Sequence, residues 1–264
     1  MNYIIGLLIA TASLLMAMHH LNQGPDQFWD FVAFSIVWGG TFAVSIIIMP
    51  LSRYKIIFSY FKKLIFTSKP NYKELLEVCM NQMSQHKKGE TPQPVSSELF
   101  HFQILNEGFE LIHLGMNTEK VKTILQERIH FYSESRHQFA NSIKSLAKYP
   151  PAFGLTGTVF GLVELMKGVS QGMPAKETGL KMAIALVATL YGLLVANLII
   201  NPAGEHLKKI IHSETQMAEL ALQAILLASQ QASLLEAQEL MNSQVMFEDR
   251  VNILSQNSVF EGAA

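Results

Sequence analysis

Charge is what this sequence has least of. Only 16% of its 264 residues are Asp, Glu, Lys or Arg, against 49% hydrophobic residues, and the apolar ones come in blocks. Ordinary soluble domains carry about 25% charged residues, so the composition places the chain among membrane proteins. A formal net charge of −1 gives no basic surplus for nucleic acid and no acidic surplus for a disordered tail. Cysteine is nearly absent. The lone Cys79 excludes an intrachain disulfide and, beside Met80 and Met83, reads as a reduced packing residue. No paired nucleophile and base, metal-ligand spacing, phosphate-binding glycine loop, low-complexity tract or internal repeat is visible, so nothing points to an enzyme. His19 and His20 read as solvated residues of a short exposed loop.

What is present in abundance is long apolar runs. Crossing a hydrocarbon core of about 30 Å takes about 17 to 25 helical residues. Four segments qualify, running approximately Asn2 to Met18, Phe28 to Met49, Tyr149 to Met166 and Met182 to Ile200. The first has no Lys or Arg ahead of it, no clear small-residue cleavage site before His19, and a second span close behind, so it reads as a span and not as a signal peptide. Of 20 Lys and Arg residues, 14 lie between Ser52 and Lys148, among them Arg53, Lys55, Lys62, Lys63, Lys69, Lys144 and Lys148, whereas His19 to Gln27 has none. Lysine and arginine favour the cytoplasmic side, which puts both termini and the central segment there. Lys167, Lys176 and Lys181, between the third and fourth spans, run against that rule. Trp29 and Tyr149 sit where interfacial aromatic anchors belong.

The expected fold class is all-α: a polytopic membrane protein with four transmembrane helices and a helical cytoplasmic domain. Its parts are residues 1–51 with spans one and two, 52–148 as the cytoplasmic domain, 149–202 with spans three and four, and 203–264 as a C-terminal amphipathic helix and tail. Within 52–148 helical periodicity marks Lys73 to Gln85, Glu98 to Leu114 and Thr118 to Lys148, with Gly89, Pro92 and Pro94 breaking the chain between the first two. After Pro202 the helical pattern continues to about Met246. Both amphipathic runs read as helices packing together beneath the membrane.

The richest stretch is PAFGLTGTVFGLV, Pro151 to Val163. Gly154, Gly157 and Gly161 lie along one helix and allow a neighbouring backbone to come close. Thr158 lies roughly 10 Å inside the cytoplasmic end of its span and Thr189 roughly 16 Å inside the other, at 1.5 Å per residue, so the two hydroxyls can meet. Ordinary hydrogen bonding of each hydroxyl to its own helix carbonyl fits the spacing equally well. Spans three and four contain no Asp, His or Arg, with Glu164 and Lys181 only at their outer ends, so no midplane acid is available there for an ion relay. Asp30, beside Trp29 at the periplasmic edge of span two, is the remaining membrane-edge acid. It reads either as a helix-start residue or as part of a pathway.

Pro151 to Val163, together with MAIALVATLYGLLVANLIINP from Met182 to Pro202, resembles the third and fourth spans of the MotA and PomA flagellar stator proteins of the MotA/TolQ/ExbB superfamily. Asp30 followed nine residues later by Gly39 and Gly40 has the spacing of that family's aspartate and paired glycines, and Gly192 falls in the matching stretch. ExbB and TolQ share the Gly and Thr pattern but have three spans with a periplasmic start.

The resemblance implies a subunit of a bacterial inner-membrane motor stator, a pentamer around a pair of MotB-like single-span, peptidoglycan-binding chains that each bring one membrane aspartate. Thr158 and Thr189, with Thr156 nearby, would face that aspartate, and Pro151 and Pro202 match prolines tied to conformational change. Sodium-using relatives carry two consecutive Thr before Leu-Tyr-Gly, where this chain has Ala188 and Thr189, so the resemblance implies protons over sodium as coupling ion and no resident cofactor. Lys87 and Lys88 followed by Glu98 stand where the family's rotor-contacting charges lie, facing a FliG-like rotor switch protein, although the intervening Thr91-Pro92-Gln93-Pro94 departs from the usual apolar run. An ExbB/TolQ-type energiser of outer-membrane work and a non-conducting membrane scaffold remain rival readings.

Overall fold

The computed structural model describes residues 2–20, 24, 28–50, 54 and 70–252. The basic residues Arg53, Lys55, Lys62, Lys63 and Lys69 therefore lie outside the described residues. Those described are helical wherever they are regular, in two compact units.

The first unit takes Met1–Thr67 and Gln138–Lys208. Helix α1 spans Asn2–His20. His19 and His20 close this helix as exposed residues and do not form a loop, because the apolar run carries its hydrogen-bond ladder to the end. Helix α2 spans Phe31–Ile48 and is interrupted by a π-helical turn at Ser35–Gly39. Asp30 caps its start, and the extended Met49 ahead of Pro50 ends it. Span three is helix α6, Tyr149–Ser170, with Pro150 and Pro151 in the first turn, where proline's missing N–H costs no ladder bond. A tight turn with Gly172 at φ 82 leads to helix α7, Ala175–Leu194. Both helices outrun the apolar segments, so Lys167, Lys176 and Lys181 are helical, and Lys181 Nζ donates to Glu164 Oε1 at 2.7 Å. Among the described residues three helices are long and apolar enough to cross a membrane, and Ile5–His20 is a shorter apolar one.

The second unit takes Ser68–His137 and Lys209–Ala264. Its helices are α3 (Tyr72–Lys87), α4 (Phe100–His113), most of α5 (Thr118–Ser145), the larger part of α8 (Asn201–Ser229) and α9 (Leu234–Asn242). Their apolar faces close one core, with Leu75, Leu76 and Cys79 on α3, Ile104 and Leu105 on α4, Val121 and Leu125 on α5, Ala221 and Ile225 on α8, and Met241 on α9. Burial pushes the Cys79 thiol up to about 12, which keeps it a packing residue. The C-terminal helix does not run unbroken to Met246. It stops after Ser229, the chain turns through Gln231 at φ 59, and Ser233 caps α9 by accepting from Glu236 N–H at 3.1 Å.

Candidate functional site

Helices α6 and α7 pack face to face because glycine removes the side chains between them. A Cβ on Gly154 would stand 2.8 Å from the Ala188 carbonyl oxygen, one on Gly157 2.7 Å from Ala188 Cβ, and one on Gly161 2.6 Å from Ala185 Cβ. Gly192 lies against the Pro150 carbonyl and Pro151 Cα, so the seam runs down to the prolines of the first turn. In a bilayer, lipid tails are as apolar as leucine, and such close backbone contact is what holds helices together.

On this seam the two hydroxyls meet, with Thr158 Oγ1 and Thr189 Oγ1 2.6 Å apart. Thr158 Oγ1 also lies 3.0 Å from its own helix carbonyl at Gly154 and 3.1 Å from the Ala185 carbonyl across the seam, and Thr189 Oγ1 is 3.5 Å from the Gly154 carbonyl. The local back-bond and the interhelical contact therefore coexist at Thr158. With one proton per hydroxyl, one threonine donates to the other, and the recipient donates to a carbonyl. The result is a compact set of four oxygens at the contact of two helices.

Thr156, two residues away, points off the seam, is exposed, and donates to the Ala152 carbonyl at 3.0 Å. Ala188 is buried against Gly157 and packs with Ala33 of α2, so its methyl faces neighbouring helices and not the hydroxyl pair. Asp30 Oδ1 accepts from Ala33 N–H at 2.5 Å, the geometry of an N-cap.

The sequence model of the MotA/TolQ/ExbB proton channel family matches residues 97–220, which include the whole glycine seam and both threonines. Over that stretch, just under half of the chain, the sequence is similar to this family. The chain is 27% identical to motility protein A of Borreliella burgdorferi over 226 residues, 84% of this chain and 85% of that one. It is 28% identical to the uncharacterized protein YtxD of Bacillus subtilis over 206 residues, 77% and 74% of the two chains. The fold is that of the flagellar MotAB stator complex of Bacillus subtilis, matched with a TM-score of 0.83 at 18% identity over 96% of this chain and 100% of that one.

The remaining expected sites fall in different places. Pro202 stands just after a π-helical turn at Val195–Ile200. Proline cannot supply the ladder N–H, and a widened turn ahead of it is the accommodation expected. Lys87 ends α3, Lys88 caps it and Glu98 precedes α4; all three are exposed. The loop between them is pinned, with Gln82 Nε2 donating to the Gln93 carbonyl at 3.0 Å and Asn106 pairing with the Val95 backbone at 2.9 and 3.0 Å.

Tyr191 is the residue that sequence reasoning passed over. Its hydroxyl donates to the Phe28 carbonyl and accepts from Asp30 N–H at 3.3 Å, tying α7 to the start of α2. The signal was a tyrosine inside an apolar span, whose O–H must find a partner where there is no water.

Proposed function

We propose that the chain is a MotA-like stator subunit that conducts protons together with a MotB-like single-span, peptidoglycan-binding partner and converts their flow into flagellar torque. Five copies surround a pair of partner chains in the inner membrane, with four spans, both termini cytoplasmic, and Lys87, Lys88 and Glu98 turned to a FliG-like rotor protein. There is no covalent chemistry. The observation that carries this reading is the 2.6 Å contact between Thr158 and Thr189 on a glycine-packed seam. An interhelical hydrogen bond in a membrane contributes only about 0.6 kcal/mol, whereas a charge at the bilayer centre costs about 2.5 to 3.5 kcal/mol or more. Two neutral hydroxyls do not offset that cost, so the carrier carboxylate comes from the partner. The threonines orient it, and the ion it carries is a proton.

Protons are favoured over sodium on the family pattern, because Ala188 stands where sodium-using relatives carry a second threonine. The similarity of residues 97–220 to the MotA/TolQ/ExbB proton channel family and the MotAB fold support the stator reading. In cells that swim on this subunit, Thr189→Ala should leave the amount of membrane complex unchanged and abolish motility; retained swimming would overturn the proposal. Speed should collapse with the proton gradient and ignore external sodium. Sodium tracking would reverse the ion assignment.

A further inference from the structure

Tyr191 follows Thr189 by two residues, which turns the two side chains to opposite sides of α7. Thr189 meets Thr158 on α6, and Tyr191 reaches the start of α2. One turn of α7 therefore holds the hydroxyl pair with one side and the Asp30 segment with the other.

A phenol hydroxyl has one proton to give and two lone pairs, so donation to the Phe28 carbonyl and acceptance from Asp30 N–H are made together. The peptide groups on either side of Trp29 are thus fixed by a single oxygen. The Asp30 side chain is fixed separately, with Oδ1 accepting from Ala33 N–H at 2.5 Å. Ala33 is itself buried against Val187 and Ala188, with Phe28 and Tyr191 packed around them. Asp30 is thereby held at two points, through its backbone by Tyr191 and through its carboxylate by the first turn of α2. Both supports refer back to residues 187–191 of α7.

We infer that Tyr191 is a positioning residue for Asp30, fixing that carboxylate at the level of α7 whose opposite side holds the Thr158–Thr189 pair, as an acid on the ion's approach to the pair. This rests on the proposed proton pathway. The ring of Tyr191 supplies packing and its hydroxyl supplies the register, so Tyr191→Phe separates the two.

The experiment uses the full chain co-purified with its partner and reconstituted in lipid vesicles, comparing wild type, Tyr191→Phe, Asp30→Asn and the double variant. Proton flux is read against external pH, and amide exchange is read over residues 28–34. In Tyr191→Phe, assembly should be unchanged and the Asp30 amide should exchange about three- to tenfold faster, as loss of one hydrogen bond implies. Flux should fall several-fold and its pH midpoint should move. With Asp30 already replaced by Asn, adding Tyr191→Phe should change neither flux nor midpoint, because coupled residues are not additive. Unchanged exchange in Tyr191→Phe overturns the tether. Faster exchange with unaltered flux and midpoint, or effects that multiply with Asp30→Asn, overturns the positioning role. A wild-type complex that passes no protons sinks the proposed function instead, and the exchange measurement then still decides whether the tether exists.

Discussion

The two compact units bury their helices by opposite means. The unit holding α6 and α7 packs by subtraction, with Gly154, Gly157, Gly161 and Gly192 removing side chains until backbone meets backbone. The other packs by addition, filling the space between five helices with Leu75, Leu76, Leu105, Leu125, Ile225 and Met241. The difference follows from the solvent. Water rewards removal of apolar area at about 25 cal/mol per Å², so large side chains make the core. Lipid offers no such reward, and cohesion comes from close van der Waals contact and the few hydrogen bonds a hydroxyl can make. The glycine seam has a consequence the leucine core lacks, since the residues that set its spacing also set the distance between Thr158 and Thr189.

Leu125 is fully buried, so Leu125→Ala should destabilise the second unit by about 2–5 kcal/mol, as large-to-small changes in a core do. Denaturation of the purified chain, followed by a probe in that unit, measures it. Proton flux per assembled complex should be untouched; a loss of flux at full assembly would mean that this core also sets the pathway.

The seam should respond less in stability and more in function. Gly154→Ala drives a methyl towards the Ala188 carbonyl at 2.8 Å and Thr189 Cα at 3.0 Å. These are backbone atoms that yield only if the helices part. The expected cost is about 1–3 kcal/mol, the range for overpacking, together with a several-fold loss of flux as the hydroxyls separate. Normal flux in this variant would show that helix spacing does not govern the site.

The smallest effect concerns His101, which is buried in the second unit with neither ring nitrogen hydrogen-bonded among the described residues. Burial holds its imidazole below the usual range, although Glu214 and Glu74 pull the other way. A group whose folded value is lowered adds stability above its unfolded value, near 6.5, and loses it as pH falls through the folded value. The unit should therefore weaken in acid by no more than about 1.4 kcal/mol per pH unit, the ceiling for one proton. Thermal midpoints at neutral and mildly acidic pH, with His101→Leu abolishing the difference, provide the check.

That the apolar runs are helices was readable because a bilayer permits little else. Long apolar runs with lysine and arginine outside them dictate helices, and glycines at spacings of three and four dictate a face. The family resemblance was equally plain in Pro151 to Val163 and Met182 to Pro202. Local pattern also read the core helices of 52–148, together with their Gly89 and Pro92 break. It overran at the C-terminus, where the apolar periodicity resumes in register after Ser229 and hides the turn at Gln231. It likewise misplaced His19 and His20, since polar residues at the end of an apolar run extend a helix as readily as they leave it.

Sequence by itself determined that this chain is a helical membrane protein, that two of its spans pack through small residues, and that those spans carry hydroxyls but no midplane acid. These properties follow from residue type and helical period alone. Only the tertiary structure decided that Thr158 and not Thr156 meets Thr189, that Ala188 faces Gly157 and Ala33, and that Tyr191 ties α7 to the Asp30 cap. Two residues' difference along a helix reverses the direction of a side chain, and which neighbour waits on that side depends on how distant segments pack.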